Sequence, residues 1–286
     1  MGLLLATKGS SGDELSLRLV AEIAGGAGEP VTILTVVKQE ADRLQAGAIL
    51  AHAGGFLTRQ GIAVRTSLLV GHVATEIVRE AEEGDYALVI VGTGEERNLA
   101  KRLLHGSTMV RVVEHAPCPV IVTKGKARPI RRILLCDSGA SYALATTNAS
   151  NAAIPSLLSR FIAQPADLLA REAEIVVLHV MSQISAGPGV AGKQLRSNAE
   201  DLIKEHAPEG ELLEADIRGL ERLGIQARAE VRHGFVVDEI LAEARRGEYD
   251  LVVIGAYRGQ GWQRILLDDQ AHRIIVQMDR PVLVLR

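Results

Sequence analysis

The segment Gly71 to Gly92 and the segment Gly234 to Gly255 are two versions of one sequence. Aligned without a gap they agree at about half of their positions, among them Glu76 with Glu239, Glu80 with Glu243, Gly84 with Gly247 and Tyr86 with Tyr249. Farther along, Pro119-Val120-Ile121-Val122 matches Pro281-Val282-Leu283-Val284. A chain of 286 residues with this self-similarity holds two copies of one structural plan. Each copy has the length of one ordinary domain.

The plan itself is readable in the first copy. Leu3 to Thr7 is an apolar strand, Lys8 to Gly12 a turn, and Asp13 to Ala24 a helix with Leu15, Leu19 and Ile23 on one face. Strand Val31 to Val37, helix Gln39 to Arg59 and strand Ile62 to Val70 follow. Helix Ala74 to Glu82, strand Tyr86 to Val91, a helix from Met109 and strand Val120 to Val122 complete the copy. Runs such as Leu88-Val89-Ile90-Val91 lack polar alternation, which is the mark of parallel strands covered on both faces. Strands alternating with helices specify a parallel sheet with right-handed crossovers. The second copy restarts at Arg132-Ile133-Leu134-Leu135-Cys136, with further strands at Glu174 to Val180 and Ile225 to Val231. The predicted fold class is therefore α/β. Two tandem doubly wound domains, 1–125 and 131–286, each carry a five-stranded parallel sheet flanked by helices. Lys124 to Pro129, basic and rich in breakers, is expected to be a solvated linker.

The copies differ between their first two strands. The second carries a longer stretch there, Ser138 to Arg171, in which Ile154, Leu157, Leu158, Phe161 and Ile162 form an apolar helical stripe. Core packing is the plain reading of that stripe, and a lid or partner-binding helix the alternative. Gln183 to Arg196 reads as a loop.

Composition excludes several functions. A net charge of −3 gives no electrostatic footprint for nucleic acid or an anionic membrane. With aromatic residues at 3%, stacking on bases is not expected and the core must be aliphatic. No apolar run reaches the roughly 20 residues of a membrane span, and the first residues lack the basic region of a signal peptide, so the expected location is cytoplasmic. Cys118 and Cys136 have neither disulfide-framework nor zinc-site spacing, and Cys118, between two prolines, reads as a buried structural thiol. The eight histidines are scattered, with no pair at ligand spacing. No nucleophile, metal set or paired carboxylates placed for acid–base work stands out.

The stretch from Gly92 to Thr123 is the one that suggests a ligand. A buried strand ends at Gly92-Thr93-Gly94, a charged loop follows, and Gly106-Ser107-Thr108 opens a helix. Glycines admit a ligand close to the backbone, and a helix start offers unpaired N–H groups and a positive dipole end. This arrangement resembles the universal stress protein family, whose nucleotide-binding members carry Gly-x2-Gly-x9-Gly-Ser/Thr between the fourth strand and the last helix. The resemblance extends over nearly the whole chain, twice. In the first copy, counting back from Gly106 puts Glu96 at the second glycine position, while Gly94 comes two residues early. The second copy keeps the spacing from Gly255, but Arg258 replaces that glycine and Asp268-Asp269 replaces Gly-Ser. Two carboxylates at a helix start neutralise its dipole and would repel a triphosphate. The aspartate that helps hold the nucleoside in related family members is Lys8 in the first copy and Asp137 in the second.

The resemblance implies a stress-response module that binds an ATP- or AMP-type adenine nucleotide in its first copy, for regulation or signalling, without evident catalysis. The implied site is Thr7, Lys8, Val36, Gly92, Thr93, Gly94, Gly106, Ser107 and Thr108. The alternatives are a purely structural interaction protein with both sites lost, and an ATP-hydrolysing enzyme whose only candidate bases are Glu95 and Glu96. For Gly106-Ser107 the plain alternative is a helix cap. Gly9-Ser10-Ser11-Gly12-Asp13 loosely resembles the loop of ATP pyrophosphatases, and there too a helix cap is the plain reading. The resemblance also implies that the last strands, Val120 to Thr123 and Val282 to Leu285, pair inside one chain. Pairing of two chains into a homodimer is left open.

Overall fold

The computed structural model describes residues 1–9, 11–92, 108–125, 128–137, 157–163, 169, 173–181, 197–256 and 269–286. In chain order the elements are β1 (Gly2–Ala6), α1 (Ser11–Ala27), β2 (Val31–Val37), α2 (Arg43–Thr58), β3 (Val64–Val70), α3 (Val73–Glu83), β4 (Tyr86–Gly92), α4 (Thr108–His115) and β5 (Val120–Thr123). The second repeat supplies β6 (Arg132–Asp137), α5 (Leu157–Ala163), β7 (Glu174–Met181), α6 (Ala199–Lys204), α7 (Pro208–Glu221), β8 (Ala227–His233), α8 (Val236–Arg246), β9 (Leu251–Gly255), α9 (Asp269–Gln277) and β10 (Val282–Leu285). These elements form two compact units, Met1–Pro129 with Ala256–Arg286, and Ile130–Gly255.

In the first unit the strand order is β3-β2-β1-β4-β5-β10. The first five strands run parallel, with Leu5 beside both Ile33 and Ile90. Leu3, Leu4, Leu5, Ile33, Leu88, Ile90 and Ile121 are fully buried between the helical layers, so the apolar runs of the sequence are the core. The sixth strand, β10, runs antiparallel to β5, placing Val282 opposite Val122, Leu283 opposite Ile121 and Val284 opposite Val120. These matched tetrapeptides thus face each other with a pseudo-twofold centre at Ile121 and Leu283. An apolar edge strand left open is a template for association, and here each last strand covers the other's edge. Compactness and repeat therefore divide the chain differently, because α9 and β10 belong to the second repeat by sequence and to the first unit by packing.

The basic segment after β5 departs from a solvated linker at its first residue. Lys124 is buried, and its Nζ donates to the carbonyls of Ile275, Val276 and Met278 at the end of α9. A helix leaves its last carbonyls unpaired, and a buried cation satisfies both their hydrogen bonds and the negative dipole end. The reciprocal contact is also present: Arg286, the residue after β10, donates to the Glu114 carbonyl in the last turn of α4. One cation after each last strand closes the other repeat's last helix. Gly125 follows at φ +74, and a Cβ there would sit 2.1 Å from the Asp279 carbonyl oxygen.

The second unit is a parallel sheet in the order β9-β6-β7-β8. Leu157, Leu158 and Phe161 of α5 are buried and Ile162 is half-buried, so most of the described part of the apolar stripe is core; Ile154 lies outside the described residues. Close helix packing has a visible cause at Gly210 of α7, where a Cβ would meet the Leu202 carbonyl oxygen of α6 at 2.2 Å.

The repeated signature is also explained by packing. Tyr86 donates to Glu80 at 2.8 Å, and Tyr249 donates to buried Glu243 at 3.0 Å. Both tyrosine rings lie over a glycine: a Cβ at Gly84 would be 2.2 Å from Tyr86, and one at Gly247 2.1 Å from Tyr249. Gly71 and Gly234 stand in the same relation to Glu76 and Glu239, at 2.6 and 2.7 Å. The most repetitive stretch of the sequence is thus a scaffold in which two of its retained glycines, Gly71/Gly234 and Gly84/Gly247, make room for a retained side chain.

Candidate functional site

Ligands of open parallel sheets bind beyond the carboxyl ends of the strands, where strand order reverses. In the first unit that point lies at β1, which has β2 on one side and β4 on the other. Three sequence-predicted elements converge there: Thr7 and Lys8 after β1, Val36 near the end of β2, and Gly92 ending β4. Thr7 is buried, Lys8 exposed, and Val36 and Gly92 half-buried. Thr108 is the first residue of α4 and is exposed. Thr93, Gly94, Gly106 and Ser107, like Glu95, Glu96 and Asp268, lie outside the described residues.

The turn after β1 is held by side chains. The Lys8 N–H donates to Asp13 Oδ2 at 3.0 Å, and the Gly9 N–H donates to Thr7 Oγ1 at 3.3 Å. Gly9 has φ +76, and a Cβ there would strike Ile49 at 2.6 Å. Asp13 is buried, and its Oδ1 would be 2.6 Å from a Cβ on Gly92. Ser16 would be 3.1 Å from the same Cβ, so the glycine at the end of β4 admits the first turns of α1. Beside it, Ser16 Oγ and Thr123 Oγ1 share a hydrogen bond of 2.5 Å, and Thr123 also donates to the Val91 carbonyl at 3.2 Å. Thr35, buried on β2, has a hydroxyl with no partner among the described residues. The strand ends of the first unit thus gather several buried hydroxyls and one buried carboxylate, with Lys8 exposed after β1.

The matching place in the second unit has a different chemistry. Asp137 ends β6 and is paired in register with His179 on β7. Both are buried, as is Asp216 on α7. Asp137 and Asp216 are joined by a side-chain hydrogen bond; burial, followed by Asp137's charge and that bond, pushes Asp216 up to about 7. Burial holds the His179 imidazole below its ordinary value against the pull of Asp137. His233 on β8 is fixed by the Ser197 carbonyl at 2.8 Å. Where α1 lays Asp13 on Gly92, α5 lays Arg160 on Gly255, 2.9 Å from where a Cβ would be. Asp269 begins α9 and is exposed.

Asp216 and His179 were not singled out in the sequence, although each leaves a signal. Asp216 occupies the buried face of α7 defined by Leu213 and Leu220, and His179 interrupts an apolar strand. Both cysteines are free and buried, and burial pushes the Cys118 thiol up to about 11, which suits an inert structural role. Among the described residues no three His, Cys, Asp or Glu side chains are grouped to hold a metal ion, and no helix is long and apolar enough to cross a membrane.

The fold defines a tandem doubly wound α/β protein. A model of the universal stress protein family matches residues 2–124 and 148–286, and the chain belongs to that family. A universal stress protein of Methanocaldococcus jannaschii is 41% identical over 64 residues, covering 22% of this chain and 37% of that protein. One from Synechocystis is 32% identical over 118 residues, covering 41% of this chain and 40% of that protein. The matches thus span about two fifths of the length of these relatives. The crystal structure of a universal stress protein from Archaeoglobus fulgidus superposes with a TM-score of 0.68 at 16% identity, covering 100% of this chain and 96% of that one. A protein of unknown function from Pseudomonas aeruginosa gives 0.68 at 20% identity, with 99% and 92% covered. At these identities the likeness is one of fold.

Proposed function

We propose that this chain is a stress-response module that binds an ATP- or AMP-type adenine nucleotide in its first repeat and acts by regulation or signalling rather than catalysis. The observation that carries this reading is the convergence of Thr7, Lys8, Val36 and Gly92 at the carboxyl ends of three neighbouring strands at the reversal of strand order. In this reading the N–H groups of Gly106, Ser107 and Thr108 grip the phosphates, with the Ser107 hydroxyl adding a contact. Thr93 and Gly94 line the approach, and the Val36 backbone faces the base.

The second repeat is proposed not to bind a triphosphate. Arg258, Asp268 and Asp269 replace the phosphate-binding pattern, and the Asp137 carboxyl is engaged by Asp216. Restoring Gly-Ser at Asp268-Asp269 is therefore not expected to create a site by itself.

Calorimetry with ATP, ADP and AMP tests the reading. Gly106→Asp should abolish binding by adding charge and bulk. Lys8→Asp should strengthen it about ten- to a hundredfold, the worth of one hydrogen bond to a charged group. Unchanged affinity in Gly106→Asp would place the ligand elsewhere. No binding by any variant would favour the structural reading, in which both repeats serve only assembly.

A further inference from the structure

We propose that β3, the outermost strand of the first unit, is where a second copy of this chain docks, as an antiparallel β3–β3 pair about a twofold axis at Ser67. The proposal stands apart from nucleotide binding. β3 has a neighbour, β2, on one side only. The Val31 N–H donates to the Ala63 carbonyl and the Gly71 N–H to the Val37 carbonyl, so alternate residues of β3 are bonded to β2. The N–H and C=O groups of the others, Val64, Thr66, Leu68 and Val70, are directed outward, with no backbone partner among the described residues. Such a row is a template for another strand.

The strand is self-complementary in that register. Thr66 lies opposite the partner's Leu68 and Val64 opposite the partner's Val70, so every outward N–H meets a carbonyl. Arg65, the single charged residue of β3, lies opposite the partner's Leu69, and no like charges meet. The internal repeat supplies the contrast. Gly71 aligns with Gly234, so β8 is the corresponding edge of the second unit, with Arg228 at the place of Arg65, Glu230 at that of Ser67 and Arg232 at that of Leu69. The same pairing of β8 would set Glu230 against itself and Arg228 against Arg232, which like-charge repulsion opposes. Those charges are also held inside their own unit. Arg228 pairs with Glu174 at 3.0 Å, Arg232 with Glu243 at 3.0 Å and Glu230 with Arg246 at 3.2 Å. β8 is an edge guarded by charge, and at β3 two of the three guards are replaced by Ser67 and Leu69.

The helix over each edge differs in the same sense. α2 packs across β2 and β3, and a Cβ on Gly54 would touch Val64 and Thr66 at 3.8 Å. Of its 16 residues only Arg43 carries a fixed charge, while Leu44, Gly47, Ala48 and Ala51 are exposed, Leu44 at 89%. α7, which packs on β7 and β8, exposes Glu211, Arg218 and Glu221 instead. A helix that lacks a charged face has no side built for water. Paired strands lie about 4.8 Å apart, so a helix centred over β2 and β3 comes about 10 Å from its mate across the axis, the spacing of packed helices. Strand edge and helix together present an uncharged surface that a second copy fills.

Sedimentation of the full-length protein is the test. Wild type should sediment as a dimer of the 30.6 kDa chain. Leu69→Arg brings in the charge that Arg232 carries on β8 and sets it opposite the partner's Arg65, so its mass should fall to that of one chain. Adding Arg65→Glu to that variant should restore the dimer, because opposite charges then face each other. Amide exchange gives a reading that needs no variant. The N–H groups of Thr66 and Leu68 should be protected in the dimer and exchange about tenfold faster or more on dilution to monomer, while those of Ala229 and Val231 on β8 exchange fast throughout. A monomeric wild type would overturn the proposal, as would a dimer that Leu69→Arg leaves intact. If Leu69→Arg fails to fold, the exchange of Thr66 and Leu68 decides, and fast exchange of both in the wild-type dimer overturns the proposal.

Discussion

Replacing Gly125 by alanine is expected to destabilise the protein by about 3–5 kcal/mol, the largest effect we predict for a single methyl group. Two costs combine. At φ +74 an L side chain is strained, which costs on the order of 1–3 kcal/mol. The added Cβ would also lie 2.1 Å from the Asp279 carbonyl oxygen and 3.2 Å from its carbon. Those are backbone atoms and cannot swing aside like the end of a side chain, so α9 and β10 would have to shift. Overpacking of that kind costs about 1–3 kcal/mol. Urea unfolding of Gly125→Ala beside Gly28→Ala makes the comparison clean. Gly28 also has positive φ, at +70, but its Cβ would meet nothing within 4 Å. Gly28→Ala should show the strain alone, and equal losses in both would remove the collision from the account.

Lys124→Met should cost about 2–4 kcal/mol, although it keeps most of the side chain's length and an apolar stem. What disappears is the ammonium shared by the Ile275, Val276 and Met278 carbonyls, in a buried position. Hydrogen bonds to a charged group are worth roughly 1.5–3 kcal/mol, and acceptors left buried without a partner add a desolvation cost. Arg286, which has the equivalent role towards Glu114, is half-buried and should matter less when replaced. The measurement is the urea midpoint of Lys124→Met against Arg286→Met. A Lys124→Met variant as stable as wild type would show that the carbonyls find other donors.

Much of the fold was legible because it depends on local pattern. Uninterrupted runs such as Leu88-Val89-Ile90-Val91 could only be covered parallel strands, and the internal repeat fixed the second copy from the first. The site was less legible, for reasons of long-range packing. Gly92 reads in sequence as a glycine for a ligand, yet its missing Cβ is also needed by Asp13 and Ser16, which lie far from it in the chain. Lys124 reads as part of a charged hinge, and only the arrival of α9 makes it a buried cap. Asp216 looks like a solvated helix residue until its neighbours Leu213 and Leu220 are seen to be buried. For Gly92 and Lys124 the role is set by a partner that no sequence window contains.

In the proposed function the first repeat, and not the second, holds an adenine nucleotide. The most direct test is to denature the purified full-length protein, identify the small molecules released by mass spectrometry, and count them per chain after saturation with ATP. The expected result is one adenine nucleotide per chain, falling to none in Gly106→Asp and staying at one in Asp137→Asn. Two nucleotides per chain, or one that survives Gly106→Asp, would contradict it.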